Sequence, residues 1–433
     1  MIILRVILRH FAPDTENRVP ATAGADNLMN CSAGKSDRYR GKSVTRVCPL
    51  SSSVLIALLL SVWMAVKPLY AGQFLDKEIR ELMLLNFSGR AVESFERVGQ
   101  LISREPDNYA AYLMRANCYG WFIARNPENR HYDNPLLESL EASVKHAQNV
   151  NEDSPHFGQA LYFRALGQVL NARFRALRGY DITARWATRG AKDAADELTD
   201  NFPEDVDARL PVAIFDATWG GSPLWHRMAQ FTLLLPRGQR EKGIRTLVEI
   251  SERGDDSRLW ASLTLLDIYM EDSKTGQQYL EIAERLHNLF PDNSVIQLEL
   301  GDSYRQMERW VLAEAVYRSI NTKVESRLPG YDEVIHETSR LRMVECQINV
   351  GKMDEAYEGL RLILISNPIN PEWVIPWAHF YTAKVYMHRK EPLRAERALH
   401  YALDGKDYND LHEVVKREMD KVKKMLEDLE KEG

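Results

Sequence analysis

The 433-residue chain lacks the short motifs that mark most catalytic, nucleotide-binding and metal sites. It contains no HExxH pair, no GxSxG nucleophile turn, and neither a Walker motif nor a dinucleotide glycine motif. Of its eleven histidines, His379, His388 and His400 are not spaced as metal ligands on one helix face. We therefore expect neither an enzymatic activity nor a bound cofactor or metal.

Cysteine is scarce as well. The four cysteines form no CxxC pair and no zinc-binding spacing. Cys31 and Cys48 fall in or before a targeting segment, which leaves Cys118 and Cys346 in the folded body. Because these two belong to separate repeats, far apart along the chain, we expect both to be reduced and buried.

The charge balance and the turn-forming residues exclude two further classes. A net charge of −6 and a pI near 6.1 do not fit a nucleic-acid-binding protein, which needs a basic domain. With 23 glycines and 18 prolines the chain is enriched in neither, which favours a mostly folded protein over a low-complexity one.

Charged clusters have local explanations at this stage. The pair Asp255-Asp256 precedes a helical stretch, so capping explains it better than acid–base chemistry. A second cluster contains three arginines in six residues, which we interpret as a solvated helix face rather than a site for acidic partners or lipid headgroups. These are Arg173, Arg175 and Arg178.

Residues 44–71 have the layout of a secretory signal peptide. An apolar core, Val54–Val66, follows a basic flank at Arg46, and Ala71 offers a small residue at a cleavage point. An uncleaved membrane anchor is the alternative, because the uncharged stretch is just long enough to span a bilayer. Residues 1–43 show no sustained periodicity, and we interpret them as disordered or as lying ahead of the true translation start.

One stretch of the chain carries a dense repeat signature. A Leu-Gly pair, two aromatic residues and an alanine occur at fixed spacing after a Phe-Pro pair: Phe290-Pro291, Leu300-Gly301, Tyr304, Ala313 and Tyr317. This pattern resembles the tetratricopeptide repeat (TPR) family, whose period is 34 residues. Leu266 and Ala283 stand 34 residues before Leu300 and Tyr317, so the period is met. A proline ends three of the units, where a helix must break. These prolines are Pro203, Pro291 and Pro368.

The resemblance covers about residues 74–404 and implies an all-α fold. Residues 72–404 would form an α-α superhelix, a solenoid of about eight stacked helical hairpins. Gly301 is expected where the two helices of its hairpin touch, because a larger side chain there would overpack the contact. The interrupted fourth unit, with Leu-Leu-Pro-Arg at 234–237 and Gly243, also resembles secreted bacterial repeat proteins.

Residues 405–433 differ in kind from the repeats. They carry a narrow apolar stripe on an otherwise charged helix: Val415, Met419, Val422, Leu426 and Leu429. A solenoid needs a terminal helix that is polar outside, so we interpret this segment as a capping helix. A dimerising coiled coil would need three or more heptads, and the stripe is shorter.

The resemblance also implies candidate binding residues, because the leading helix of each TPR hairpin lines the concave face. The polar and aromatic residues expected there are Asn117, Trp121, Asp302, Arg305, Glu345, Lys384 and His388. A second group is the aromatic cluster that interrupts the fourth unit: Trp219, Trp225, His226 and Phe231. This cluster could form a platform for a peptide or an apolar ligand, or fill the space left by a missing turn.

We expect, on these grounds, an exported bacterial TPR scaffold that acts by protein–protein interaction. It would work in the periplasm, or at the inner membrane if the signal stays uncleaved, with a protein or peptide partner and without nucleic acid. The alternative is a periplasmic component that binds a small ligand or lipid inside a closed helical superhelix.

Overall fold

The computed structural model describes residues 74–179, 181–220, 238–404, 406–408 and 410–432. The expected extension and signal segment, together with Trp225, His226 and Phe231, lie outside these described residues. Within them, 17 α-helices follow one another and no strand occurs. The helices are α1 (Lys77–Phe87), α2 (Ala91–Arg104), α3 (Tyr109–Arg125), α4 (Asp133–Gln148), α5 (Phe157–Leu177), α6 (Asp181–Asn201), α7 (Leu210–Trp219), α8 (Arg240–Arg253), α9 (Arg258–Met270), α10 (Gly276–Leu289), α11 (Ser294–Gln306), α12 (Trp310–Glu325), α13 (Glu333–Asn349), α14 (Met353–Ser366), α15 (Val374–His388), α16 (Pro392–Leu403) and α17 (Leu411–Glu432).

Successive helices pack as hairpins. Each odd-numbered helix from α1 to α15 packs against the even-numbered helix that follows, which gives eight hairpins in the described part of the chain. We call the first helix of each hairpin leading and the second trailing. Along most of the array, leading helices also contact the next leading helix, so the hairpins stack into a solenoid. The predicted all-α superhelix is confirmed.

The terminal helix α17 has the predicted capping role. It packs on α16 and α15 through the first part of its apolar stripe, where Val415 and Val422 are buried. Beyond them Leu429 is exposed, because α17, with 22 residues, is longer than α16, with 12. None of the helices that the structure describes combines the length and the apolar character needed to cross a membrane.

Small residues stand where helices approach most closely, as the repeat signature predicts. A Cβ atom on Gly301 of α11 would lie 2.5 Å from the Tyr317 ring of α12. At Gly167 of α5 it would meet Val144 of α4 at 3.0 Å. Both distances are shorter than ordinary van der Waals contact, so a larger residue at either position would separate the helices.

Several turns inside the hairpins share one backbone conformation. Two residues after the leading helix ends, the chain takes a positive φ angle at Gly89, Glu308, Gly351 and Lys390. This left-handed conformation reverses the chain within a few residues and favours glycine, which has no Cβ. Glutamate and lysine occupy it in two of the last three hairpins.

The first hairpin folds back onto turns far along the chain. The Leu75 amide donates to Asp256 Oδ2 at 2.8 Å, and Arg80 Nη2 donates to Asp256 Oδ1 at 2.5 Å. The sequence predicts that Asp256 caps α9, and this prediction is wrong, because the buried carboxylate binds Leu75 and Arg80 instead. The amides before α9 are instead bound by the Asp207 carboxylate, which accepts from residues 255–257.

A second contact joins the same hairpin to the α10–α11 turn. Asn293 Nδ2 donates to the Phe87 carbonyl at 2.9 Å, and the Phe87 and Phe290 rings lie 5.3 Å apart. A Cβ atom on Gly89 would lie 2.8 Å from the Asp292 carbonyl oxygen. Backbone therefore meets backbone across more than 200 residues of sequence, and this contact fixes where the first hairpin sits.

Two arginines of the cluster on α5, Arg173 and Arg178, are not solvated, so the interpretation from the sequence is wrong for them, whereas Arg175 is partly exposed and pairs with Glu141. Arg173 pairs with Asp267 of α9, and Arg178 pairs with Asp133 of α4 at 2.6 Å. All four side chains are buried. The 21-residue length of α5 carries these arginines to neighbouring helices, where each meets a carboxylate. By contrast Cys118 and Cys346 are free and buried, as predicted.

The contact made by Gly89 can be tested against a matched glycine. Gly89→Ala and Gly351→Ala both place alanine at a φ near +80°, which costs about 1–2 kcal/mol. Only at Gly89 would the new Cβ also press on backbone, since nothing lies within 4 Å of a Cβ at Gly351. We expect the larger loss in free energy of unfolding for Gly89→Ala, measured by urea denaturation, with faster hydrogen exchange around Asn293. Equal losses would contradict this close approach.

Candidate functional site

The leading helices α11 and α13 bury an ionic cluster between them. The Asp302 carboxylate accepts hydrogen bonds from Arg342 and, at 2.6 Å, from the Tyr317 hydroxyl. One turn further, Arg305 pairs with Glu345 at 3.0 Å. Asp302, Arg305 and Arg342 are all buried, and only a small part of Glu345 reaches solvent. These charges therefore hold leading helices together and do not face an open groove.

The cluster extends towards α9 and α10. Glu299 is buried and accepts a hydrogen bond from the Tyr279 hydroxyl. Burial and the nearby Asp302 carboxylate raise the pKa of Glu299 to about 8, so this residue is mostly protonated at neutral pH. Arg173, Arg305 and Arg342 then face three paired carboxylates, those of Asp267, Asp302 and Glu345. Each of these six charges therefore has a partner of opposite sign.

Asn117 and Trp121 on α3 are also buried, against expectation. The Asn117 side chain accepts a hydrogen bond from Asn86 of α1 at 2.7 Å. Trp121 packs edge-on against Phe87, with the ring centroids 5.4 Å apart. Both residues serve the packing of the first hairpin on the second. The expectation of accessible concave-face side chains is therefore wrong for Asn117, Trp121, Asp302 and Arg305.

Trp219 closes the last turn of α7. Its ring stacks on Phe215, with centroids 4.7 Å apart, and remains partly exposed. Its expected neighbour Trp225 lies outside the described residues, so the aromatic platform stays a prediction. The stacking of Trp219 on a buried ring of its own helix fits the gap-filling interpretation of this residue.

Lys384 and His388 remain accessible. They stand one turn apart on α15: Lys384 is partly buried, with Nζ 5.9 Å from the Phe380 ring centroid, and His388 is exposed. The turn that follows is basic. We call residues 388–394 (His-Arg-Lys-Glu-Pro-Leu-Arg) the basic turn, which has three Lys or Arg residues against one glutamate. It lies at the junction of α15 and α16.

Exposed apolar side chains concentrate on the same part of the array, which sequence reasoning did not anticipate. Of the twelve large apolar residues exposed in the described parts of the chain, nine lie between residues 311 and 429: Val311, Leu312, Leu328, Leu362, Ile365, Ile369, Leu393, Tyr401 and Leu429. Most stand on or just after the trailing helices α12, α14 and α16. The signal in the sequence would have been an apolar residue on the face of a trailing helix that the repeat pattern leaves unpacked.

Among the described residues, no three His, Cys, Asp or Glu side chains come together as a set of metal ligands. The buried hydroxyls of Tyr279 and Tyr317 hydrogen bond carboxylates, and burial raises the pKa of each well above its ordinary value. Their chemistry is therefore that of fixed hydrogen-bond donors.

The similarity of this chain to known proteins is weak. No protein-family model and no curated protein matches the chain. Among solved structures, the TPR domain of P58(IPK) is 17% identical and aligns over 81% of this chain and 98% of that chain, with a TM-score of 0.26. The human IFIT1 dimer with PPP-AAAA is 12% identical over 82% of this chain and 81% of that chain, with a TM-score of 0.37. At such scores the fold class rests on the hairpins of this chain, which form an all-α solenoid of the TPR type.

Two aspartates, each paired with an arginine, test the structural role of the inner wall. Asp302→Ala removes a carboxylate that both Arg342 and Arg305 contact, and both arginines stay buried. Removing one partner of a buried pair costs about 3–5 kcal/mol of stability. Asp354→Ala removes a partner of Arg389 that is 96% exposed, and surface changes of this kind stay within about 0.5 kcal/mol. Urea denaturation of both variants measures the difference.

The double variant Asp302→Ala/Arg342→Met is the control that shows how much of the loss comes from leaving Arg342 buried without a partner. Removing both partners should recover part of the loss, because no unpaired guanidinium from Arg342 then remains in the core. Similar losses for Asp302→Ala and Asp354→Ala would contradict the buried position of Asp302.

Proposed function

We propose that this protein is an exported scaffold that binds a protein partner through the outer surface of its last three hairpins. The observation that carries the proposal is the concentration of exposed apolar side chains on α12, α14 and α16. The role is one of binding rather than catalysis.

The distribution of polar groups supports an outward-facing surface. On the side of the leading helices, Asp267, Asp302 and Glu345 are paired with arginines, so a ligand for these groups would have to break ion pairs. On the outer side, Leu362 and Ile365 stand one turn apart on α14, Ile369 follows the end of the helix, and all three are half exposed or more. Burying one such side chain contributes about 1.5–3 kcal/mol, so three of them could anchor an interface.

Export is supported by the amino-acid sequence. The apolar core Val54–Val66, its basic flank at Arg46 and the small residue Ala71 have the order of a secretory signal. The proposed site of action is accordingly the bacterial periplasm, or the outer face of the inner membrane if the segment stays attached. No observation in the described residues favours the alternative of a small ligand or lipid inside the superhelix.

Site-specific photocrosslinking in cells tests the binding surface. A photoreactive amino acid at Ile365 or Leu393 should give a discrete adduct of higher mass with a partner protein. Leu289 on α10 is the matched control, since it is 57% exposed and Leu393 is 69% exposed. We expect no adduct from Leu289. Adducts of equal yield from all three positions, or none from Ile365 and Leu393, would contradict the proposed surface.

A reporter fusion tests export. An alkaline phosphatase that folds only in an oxidising compartment, fused after Gly433, should be active in cells because residues 44–71 direct translocation. The control replaces Leu58 and Leu59 by arginine, which interrupts the apolar core and should abolish phosphatase activity. A well-expressed but inactive fusion with the native segment would refute export.

A further inference from the structure

Two tyrosines and two arginines form one surface cluster beside the basic turn. Tyr357 of α14 and Tyr386 of α15 lie with their ring centroids 5.9 Å apart and their hydroxyl oxygens 3.4 Å apart. The guanidinium carbon of Arg389 sits 4.4 Å from the Tyr357 centroid, and that of Arg394 sits 5.8 Å from the Tyr386 centroid. Each ring of the touching pair therefore carries one guanidinium group, and we call these four side chains the tyrosine–arginine cluster.

The ring faces position the guanidinium groups, and each group donates to one carboxylate. Each guanidinium has five N–H donors. Arg389 uses one on Asp354, at 2.7 Å, and Arg394 uses one on Glu391, at 2.8 Å. The Asp354 carboxylate is almost fully exposed, and such surface ion pairs contribute little to stability. An incoming carboxylate can therefore displace it, and can bind a guanidinium with two parallel hydrogen bonds.

Charge and exposure around the cluster indicate what would bind. The basic turn is locally positive on a chain whose net charge is −6, and its Lys390 is exposed without a carboxylate partner in the described structure. Leu393 stands next to Arg394 and is largely exposed, so an apolar contact is available beside the positive charges. The surface fits a segment that has acidic side chains and an apolar residue.

We propose that the tyrosine–arginine cluster is a docking site for an acidic peptide segment of the partner protein. Two carboxylates on the segment would bind Arg389 and Arg394, and an apolar residue beside them would pack on Leu393. The tyrosines act as positioning residues, because their ring faces keep the guanidinium groups from adopting other rotamers. This inference rests on the proposed scaffold function and names the chemistry of its partner.

The test uses the full chain and a fluorescent, end-blocked peptide, Glu-Asp-Leu-Glu-Asp, with Gln-Asn-Leu-Gln-Asn as the uncharged control. Fluorescence anisotropy should show binding of the acidic peptide only, weakening as salt is added. Arg389→Gln/Arg394→Gln should weaken binding at least tenfold. Arg361→Gln, an exposed arginine on α14 that pairs with Glu358, should change it less than twofold.

A gain of affinity separates docking from a purely structural role. Asp354→Asn removes the carboxylate that competes for Arg389 while keeping the shape of the side chain, so the acidic peptide should bind more tightly, by twofold or more. Tyr357→Leu should weaken binding by freeing Arg389, with circular dichroism confirming that the helices are intact. Loss of binding to the same degree in Arg361→Gln, or no response to Asp354→Asn, would overturn the inference.

The crosslinking experiment distinguishes this inference from the function on which it rests. In one outcome the native chain binds no acidic peptide, but Ile365 still gives its partner adduct, also in the Arg389→Gln/Arg394→Gln variant. The docking site is then wrong and the scaffold function stands. If Ile365 and Leu393 give no adduct, the scaffold function fails, whatever the peptide shows. Loss of both peptide binding and the Leu393 adduct in the double arginine variant is the result that we expect.

Discussion

The ion pairs buried between leading helices are the interaction on which the rest of this structure depends. A charge removed from water is costly unless a partner stands at hydrogen-bond distance, so Arg342 and Asp302 restrict how α11 and α13 can stack. Arg173 and Asp267 impose the same restriction between α5 and α9. Apolar packing alone would allow a small shift of one hairpin along the next. The ion pairs do not allow it, because the shift would leave a buried guanidinium group without its carboxylate.

The position of the proposed binding surface follows from this arrangement. Arg173, Arg305 and Arg342 already pair with carboxylates of neighbouring leading helices, so these groups have little left to offer a ligand. The trailing helices of the last three hairpins, by contrast, leave several apolar side chains in water, among them Leu362, Ile365 and Leu393. The proposed binding surface is therefore the exposed side of α14 and α16, with the basic turn at the junction of α15 and α16.

Several features could be predicted from the sequence because they depend on neighbours in the chain. Gly301 and Tyr317 belong to one hairpin, so their contact is a matter of spacing along two adjacent helices. The capping role of α17 follows from its apolar stripe in the same way. The contacts of Asp256 and Arg173 could not be predicted, because their partners lie 181 and 94 residues away in the sequence. No local pattern shows which distant turns of a solenoid come into contact.

By itself, the sequence determined the all-α hairpin array, its repeat positions and the terminal cap, since a 34-residue period and small residues at fixed offsets suffice to pair neighbouring helices. Only the tertiary structure decided which charged residues are buried between helices and which are exposed to solvent. Asp302 and Asp354 are the same residue type on successive hairpins, yet one is buried against two arginines and the other stands in water. The physical reason is that burial depends on the neighbours that the superhelix brings together, whereas the repeat period depends only on neighbours along the chain.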